Sequence, residues 1–200
     1  DLLLCKRPKD FDVVTDATPE QVSKIFSQSR VIGRRFKIVH VIVPVPKQAP
    51  EIIEVTTFRS NAETSDFQNE ERSSKKAQRF NAKRVSAKSG MLVRDNLYSR
   101  KITDDAQRRD FTINALYYDP IKETVFDFTG GLYDLSQNVL DIIGDPDKRY
   151  CEDPVRMIRA LRFCAKLDFK LSKRSSLPLK KFSHNLQEVS NARMFEEVNK

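Results

Sequence analysis

The chain has 200 residues and a mass of 23.2 kDa, with 39% hydrophobic and 32% charged residues, room for one domain of about 130–150 residues and part of another. Its 36 Lys+Arg against 28 Asp+Glu leave a net charge of +8 and a pI near 9.4, a balance that favours a polyanionic partner such as RNA or DNA, although a solvated lysine-rich surface would account for it equally well. No stretch approaches the ~20 apolar residues of a membrane span, no signal-peptide pattern is present, and Cys5, Cys151 and Cys164 lack metal-ligand spacing, which points to reduced thiols in a cytoplasmic protein.

The residues Asp1 to Leu4 read as the end of a helix. Lys9-Asp10-Phe11-Asp12-Val13-Val14-Thr15 then reads as a strand ending at a turn. Alternation puts Asp10 and Asp12 on one face and Phe11 and Val13 toward a core. Thr18-Pro19-Glu20-Gln21 is a helix start, with Thr18 as N-cap, Pro19 at N1 and Gln21 at the capping-box position. Val22, Ile25 and Phe26 would form its apolar face. Residues 31–43 alternate as a strand or hairpin arm, Pro44, Pro46 and Pro50 mark a loop, and residues 51–57 read as another strand. A β-rich opening with an interposed helix predicts an α+β domain built on a mixed sheet.

Residues 60–101 differ in material. Glu70 to Lys101 carries ten Lys/Arg and three Asp/Glu with few apolar residues, which predicts a mobile loop. It is either an inert insertion or an arm that meets RNA phosphates through Lys75, Lys76, Arg79, Lys83 and Arg84. Asp110–Asp119 predicts a short helix leading into a strand, Thr124–Phe128 a second strand, Gly130-Gly131 a turn, and Asn138–Ile143 a short apolar segment. Glu152–Leu167 is the strongest helix pattern, with Asp153 as cap, Pro154 at N1, and Val155, Ile158, Leu161 and Ala165 at helical spacing. From Lys170 the chain turns basic and helical. We expect a head over 1–150 and the start of an all-α neck over 151–200. The opening on Asp1 rather than Met, and the close inside a helical pattern from Asn191 to Lys200, suggest that both ends are cut.

Four clusters carry candidate chemistry. Asp10 and Asp12 have Cα atoms roughly 6–7 Å apart in a strand, close enough to share a pair of divalent cations about 3.5–4 Å apart. An isolated Asp-x-Asp pair does not by itself define a metal site. Glu54 lies opposite Ile53 and Val55 on its strand and would be a third carboxylate if that strand neighbours the first; otherwise it is an exposed strand glutamate. Arg108-Arg109-Asp110 places two cations and a carboxylate beside an expected helix N-terminus, suited to a triphosphate and a ribose, or simply to a capped surface helix. Asp153 and Arg156 are i,i+3 neighbours, one acceptor-only and one donor-only. Such a pair matches the edges of adenine and cytosine and mismatches uracil and guanine. The plain alternative is an ordinary salt bridge.

Taken in order, Lys9–Thr15, Glu54-Val55-Thr56-Thr57-Phe58-Arg59, Arg108-Arg109-Asp110-Phe111-Thr112-Ile113-Asn114-Ala115, Asp127-Phe128-Thr129-Gly130-Gly131 and Glu152-Asp153-Pro154-Val155-Arg156 resemble the class II nucleotidyltransferases, the bacterial poly(A) polymerases and CCA-adding tRNA nucleotidyltransferases. Gly33-Arg34-Arg35-Phe36-Lys37-Ile38-Val39-His40-Val41 and Gly90–Asn96 lean toward the poly(A) polymerase form. The resemblance implies a nucleotidyltransferase head with helices flanking a mixed sheet. It implies template-independent, Mg²⁺-dependent transfer of AMP from ATP to an RNA 3′ end with release of pyrophosphate. Asp10 and Asp12 would hold two Mg²⁺ ions and Glu54 would complete the catalytic carboxylates. Arg109, Asp110, Asn114, Asp153, Arg156 and Arg159 would bind the nucleotide. The family's glycine pair and Val-Arg ahead of the position of Asp1 are missing, so the fragment itself would turn over poorly. CCA addition is the alternative activity, and a non-catalytic RNA-binding remnant the alternative from another class.

Overall fold

The computed structural model describes residues 2–8, 11–33, 37–60 and 97–200. Asp10 and the five basic residues Lys75, Lys76, Arg79, Lys83 and Arg84 lie outside them. Backbone contacts divide the chain into two compact units, the first taking in the described residues up to Ser60 with 97–105, the second running from Ala106 to Lys200.

In the first unit a 3-10 turn (Leu2–Leu4) precedes β1 (Asp12–Thr15), α1 (Pro19–Ile25), β2 (Ser29–Ile32), β3 (Ile38–Val43) and β4 (Glu51–Thr57). The sheet order is β1-β4-β3-β2. β1 runs parallel to β4, and the other two pairings are antiparallel, so the sheet is mixed as expected. α1 starts with the full capping box: Thr18 accepts from the Gln21 N–H, and the Gln21 side chain accepts from the Thr18 N–H at 2.8 Å. Val22 on α1 packs on Val39, Val41 and Val55 of the central strands.

Two expectations fail here. Phe11 and Val13 are 65% and 43% exposed, because β1 is an edge strand while the short α1 packs over β2, β3 and β4. Ile25 and Phe26 are exposed too, since the helix stops at Ile25 and Phe26 turns extended. Beyond the sheet, β5 (Arg59–Ser60) pairs antiparallel with β6 (Leu97–Tyr98), so short strands bracket the basic stretch. The buried Asp105 accepts the Arg59 N–H at 3.1 Å.

α2 (Ile102–Arg108) leads into the second unit, where a 3-10 turn (Thr112–Asn114) runs into β7 (Leu116–Asp119), paired antiparallel with β8 (Thr124–Asp127). α3 (Gly131–Ser136) follows, then β9 (Val139–Leu140), α4 (Pro146–Glu152), α5 (Val155–Leu167), β10 (Lys170–Leu171), α6 (Lys173–Phe182), a 3-10 turn (Ser183–Glu188) and α7 (Asn191–Val198). The core joins Phe111, Leu140, Ile142, Tyr150, Met157 and Ala160. The expected single helix over Glu152–Leu167 is two. α4 ends at Glu152, and Asp153 caps the next helix by accepting the Val155 N–H at 3.2 Å. Its buried stripe is Val155, Met157 and Ala160, while Leu161 is 60% exposed. Among the described residues no helix is long and apolar enough to cross a membrane.

Candidate active site

One cluster belongs to the first unit. Because β1 and β4 pair in register, Asp12 lies beside Glu54 and His40 lies beside Glu54 on the other side. Residues opposite one another in a sheet share a face, so the two carboxylates stand on one face of strands about 4.8 Å apart. The same register puts Val13 beside Val55 on the face covered by α1. His40 Nε2 lies 3.3 Å from Glu54 Oε1. Among the described residues no group of three acidic, His or Cys side chains converges as a metal cage, and Asp10 is not among them. The donors present are hard carboxylate oxygens, half-buried at Glu54 and exposed at Asp12, and they suit Mg²⁺ rather than a softer ion.

The second cluster lies wholly in the second unit, around a cavity of about 620 Å³ lined by residues that include Arg109, Asp110, Asn114, Asp153, Arg156 and Arg159. The six positions singled out for nucleotide binding therefore share one cavity. How each is held departs from expectation. Arg108 closes α2, and the short 3-10 helix that follows (Thr112–Asn114) has Phe111 at its cap position with no side-chain bond, so Asp110 stands one residue ahead of the cap and does not cap it. Phe111 is extended and its carbonyl opens the turn by accepting the Asn114 N–H. Asp110 Oδ1 instead accepts from Phe111 N at 2.8 Å and from Asn114 Nδ2 at 3.0 Å. Its Oδ2 accepts from Arg159 Nε at 2.8 Å. Burial pushes the Asp110 carboxyl upward, but the Arg159 charge and the Asn114 and Phe111 N–H donors outweigh it and hold it below the ordinary carboxylate value. Burial likewise works against the Arg159 cation, and Asp110 with Glu197 overcomes it and raises that guanidinium.

The loop after β8 fixes this turn from behind. Asp127 accepts the N–H groups of Thr129, Gly130, Gly131 and Leu132 at 2.9–3.0 Å, closing the first turn of α3 with Gly130 left-handed at φ 83°. Gly131 sits so close to the Thr112 carbonyl that a Cβ there would lie 2.3 Å from its oxygen. Asp134 accepts the Thr112 hydroxyl at 2.6 Å. Buried Arg149 donates to the carbonyls of Arg108 and Arg109, so α4 pins the same segment from the other end. Arg109 itself lies over the Tyr117 ring at 5.7 Å.

Asp153 and Arg156 do not pair with each other. Arg156 Nη1 donates to Glu152 at 3.0 Å and to the Arg149 carbonyl at 2.8 Å, whereas Asp153 Oδ2 accepts from Arg193 at 2.7 Å. The ordinary i,i+3 salt bridge is therefore ruled out. Sequence reasoning missed Arg193 and the buried Glu197, which accepts from Arg162 at 2.6 Å and lies 3.3 Å from Arg159. One signal could have found Glu197: α5 carries Arg156, Arg159 and Arg162 and no acidic residue, so part-buried guanidiniums had to find carboxylates elsewhere.

The fold matches that of the Bacillus stearothermophilus CCA-adding enzyme in complex with CTP, with a TM-score of 0.75 and 27% identity over 98% of this chain and 40% of that one, and this is a nucleotidyltransferase head. The model of the poly(A) polymerase head domain matches residues 1–141, and the chain belongs to that family. It is 47% identical to poly(A) polymerase I of Salmonella typhi over 98% of this chain, and 32% identical to the CCA-adding enzyme of Anoxybacillus flavithermus over all of this chain. It spans 38% and 43% of the length of those two relatives.

Proposed function

We propose that the chain supplies the catalytic head of a cytoplasmic polynucleotide adenylyltransferase, transferring AMP from ATP to an RNA 3′-hydroxyl without a template and releasing pyrophosphate. The observation that carries this is the register of β1 with β4, which sets Asp12 beside Glu54 on one sheet face. Asp10, Asp12 and Glu54 are the carboxylates that would hold two Mg²⁺ ions. When bound, the ions lower the pKa of the attacking hydroxyl and neutralise charge on the triphosphate and leaving group. Arg109 meets the triphosphate, Asp110 and Asn114 the ribose, and Arg159, fixed by two carboxylates, is a second phosphate contact. Asp153 and Arg156 read the base edge, an acceptor and a donor held apart by their separate partners. The basic residues Lys75, Lys76, Arg79, Lys83 and Arg84 are candidates for RNA phosphate contact. Catalysis of this kind is mainly positioning and charge neutralisation.

Polyadenylation is favoured over CCA addition by the higher identity to poly(A) polymerase I than to the CCA-adding relative. The test incubates purified full-length protein with Mg²⁺, labelled ATP and an RNA primer. Wild-type protein should extend a generic RNA with A alone, and Asp12→Ala should abolish incorporation with its circular dichroism unchanged. Wild-type activity in Asp12→Ala would refute the metal assignment. Extension confined to tRNA lacking its terminal CCA, and dependent on CTP, would turn the reading to the CCA-adding enzymes.

A further inference from the structure

An acceptor and a donor that face a base edge are useful only if they do not neutralise each other. At i,i+3 on the first turn of a helix, Asp153 and Arg156 are close enough to do so. The structure prevents it twice over. Glu152, one residue before Asp153, takes Arg156. Arg193, forty residues away on α7, takes Asp153 Oδ2 at 2.7 Å. Asp153 Oδ1 is meanwhile occupied by the Val155 N–H. With one oxygen bonded to its own helix and the other to α7, the carboxylate is oriented away from Arg156. A carboxylate has about four lone-pair sites, so two accepted bonds leave room for an exocyclic amino donor. Arg193, Asp153 and Arg156 all line the one cavity.

We infer that Arg193 is a specificity-determining residue: its ion pair with Asp153 keeps the carboxylate turned to the base and away from Arg156, so that α7 takes part in nucleotide selection. This rests on the reading of Asp153 and Arg156 as the base-recognition pair. Arg193 is a positioning residue and does not itself touch the reacting atoms. Without its partner, Asp153 Oδ2 is released and the carboxylate loses its fixed orientation, while Glu152 and the Arg149 carbonyl still hold Arg156. The acceptor half of the base contact is then lost, whereas the Arg156 donor and the contacts to phosphate and ribose through Arg109, Asp110 and Arg159 persist.

The effect should therefore appear in the preference between bases and not in nucleotide affinity as such. The experiment measures equilibrium binding of ATP and of UTP to the purified protein, wild type and Arg193→Ala, Arg193→Met and Arg193→Lys, with circular dichroism melts alongside. Wild-type protein should prefer ATP. Arg193→Ala and Arg193→Met should each cut that preference about tenfold, the worth of one charge-assisted hydrogen bond near 1.4 kcal/mol, mainly by weakening ATP. Arg193→Lys, which keeps the charge, should restore most of it. Arg193→Met retains the aliphatic stem, so an alanine variant that fails to fold leaves the comparison intact. Equal weakening of ATP and UTP, or an unchanged ratio in both Ala and Met variants, would overturn the role of Arg193 while leaving the recognition pair standing. A wild-type protein that binds ATP and UTP alike would overturn the recognition pair and, with it, this inference.

Discussion

Replacing Glu197 with glutamine removes one charge and little volume from a carboxylate that is 5% exposed. Two guanidiniums depend on it: Arg162 at 2.6 Å and Arg159 at 3.3 Å, with side chains 15% and 29% exposed. Arg159 keeps Asp110. Among the described residues, Arg162 keeps the face of the Phe163 ring, 4.6 Å away. Breaking a buried ion pair by removing one partner costs about 3–5 kcal/mol. Since glutamine retains one acceptor and Arg159 retains a carboxylate, the loss should fall near ~3 kcal/mol. In a unit near 100 residues each kcal/mol lowers the melting temperature by about 4–8 °C, and by about 2–4 °C where a larger body unfolds as one. Glu197→Gln should therefore melt about 6–24 °C below wild type by circular dichroism or calorimetry. The double variant Glu197→Gln with Arg162→Met should recover part of the loss, because the stranded cation is gone. A Glu197→Gln protein that melts within about 2 °C of wild type would refute the assignment of Glu197 as the counter-ion that ties α7 to α5.

Other perturbations test separate parts of the architecture. Gly131→Ala sets a methyl 2.3 Å from the Thr112 carbonyl oxygen; the backbone must shift, and urea titration should show a loss of about 1–3 kcal/mol. Tyr150 is fully buried and donates to the Ser175 carbonyl at 2.9 Å, and burial, helped by the Asp141 charge, pushes its hydroxyl up to about 12. A folded-state value above the unfolded one means stability that is complete below pH ~10 and lost between there and about 12 as the unfolded phenol ionises first; Tyr150→Phe should remove that step in alkaline melts and cost about 1 kcal/mol at neutral pH. Asp110 is held low by Arg159 against its burial, so its contribution is present above pH ~4 and falls away as pH drops through the folded value; Asp110→Asn should flatten the acid limb of the stability curve. Arg156→Ala should relax the choice of ATP over UTP more than it weakens metal binding, and an unchanged base preference would count against the recognition pair.

What could be read from the chain was local. The Thr18–Gln21 capping box, the strand over residues 51–57 and the cap at Asp153 are each specified by a few consecutive residues, and each formed where expected. The neighbourhood of Asp12 and Glu54 was legible only as a condition, since nothing in either segment states which strands pair. What failed was decided by partners distant in sequence. The alternation of Phe11 and Val13 is real, but which strand lies at the sheet edge depends on the order β1-β4-β3-β2. On α5 several apolar residues compete at helical spacing, and the choice of Met157 and Ala160 over Leu161 is made by Phe111, Leu140 and Tyr150. The same holds for charge. Asp153 and Arg156 are near enough in sequence to suggest a pair, yet Glu152 and Arg193 compete for them successfully. A charged side chain buried on a helix face is therefore best read as a demand for a counter-ion whose position the sequence leaves open, and in this fold α7 answers it with Arg193 for Asp153 and Glu197 for Arg162.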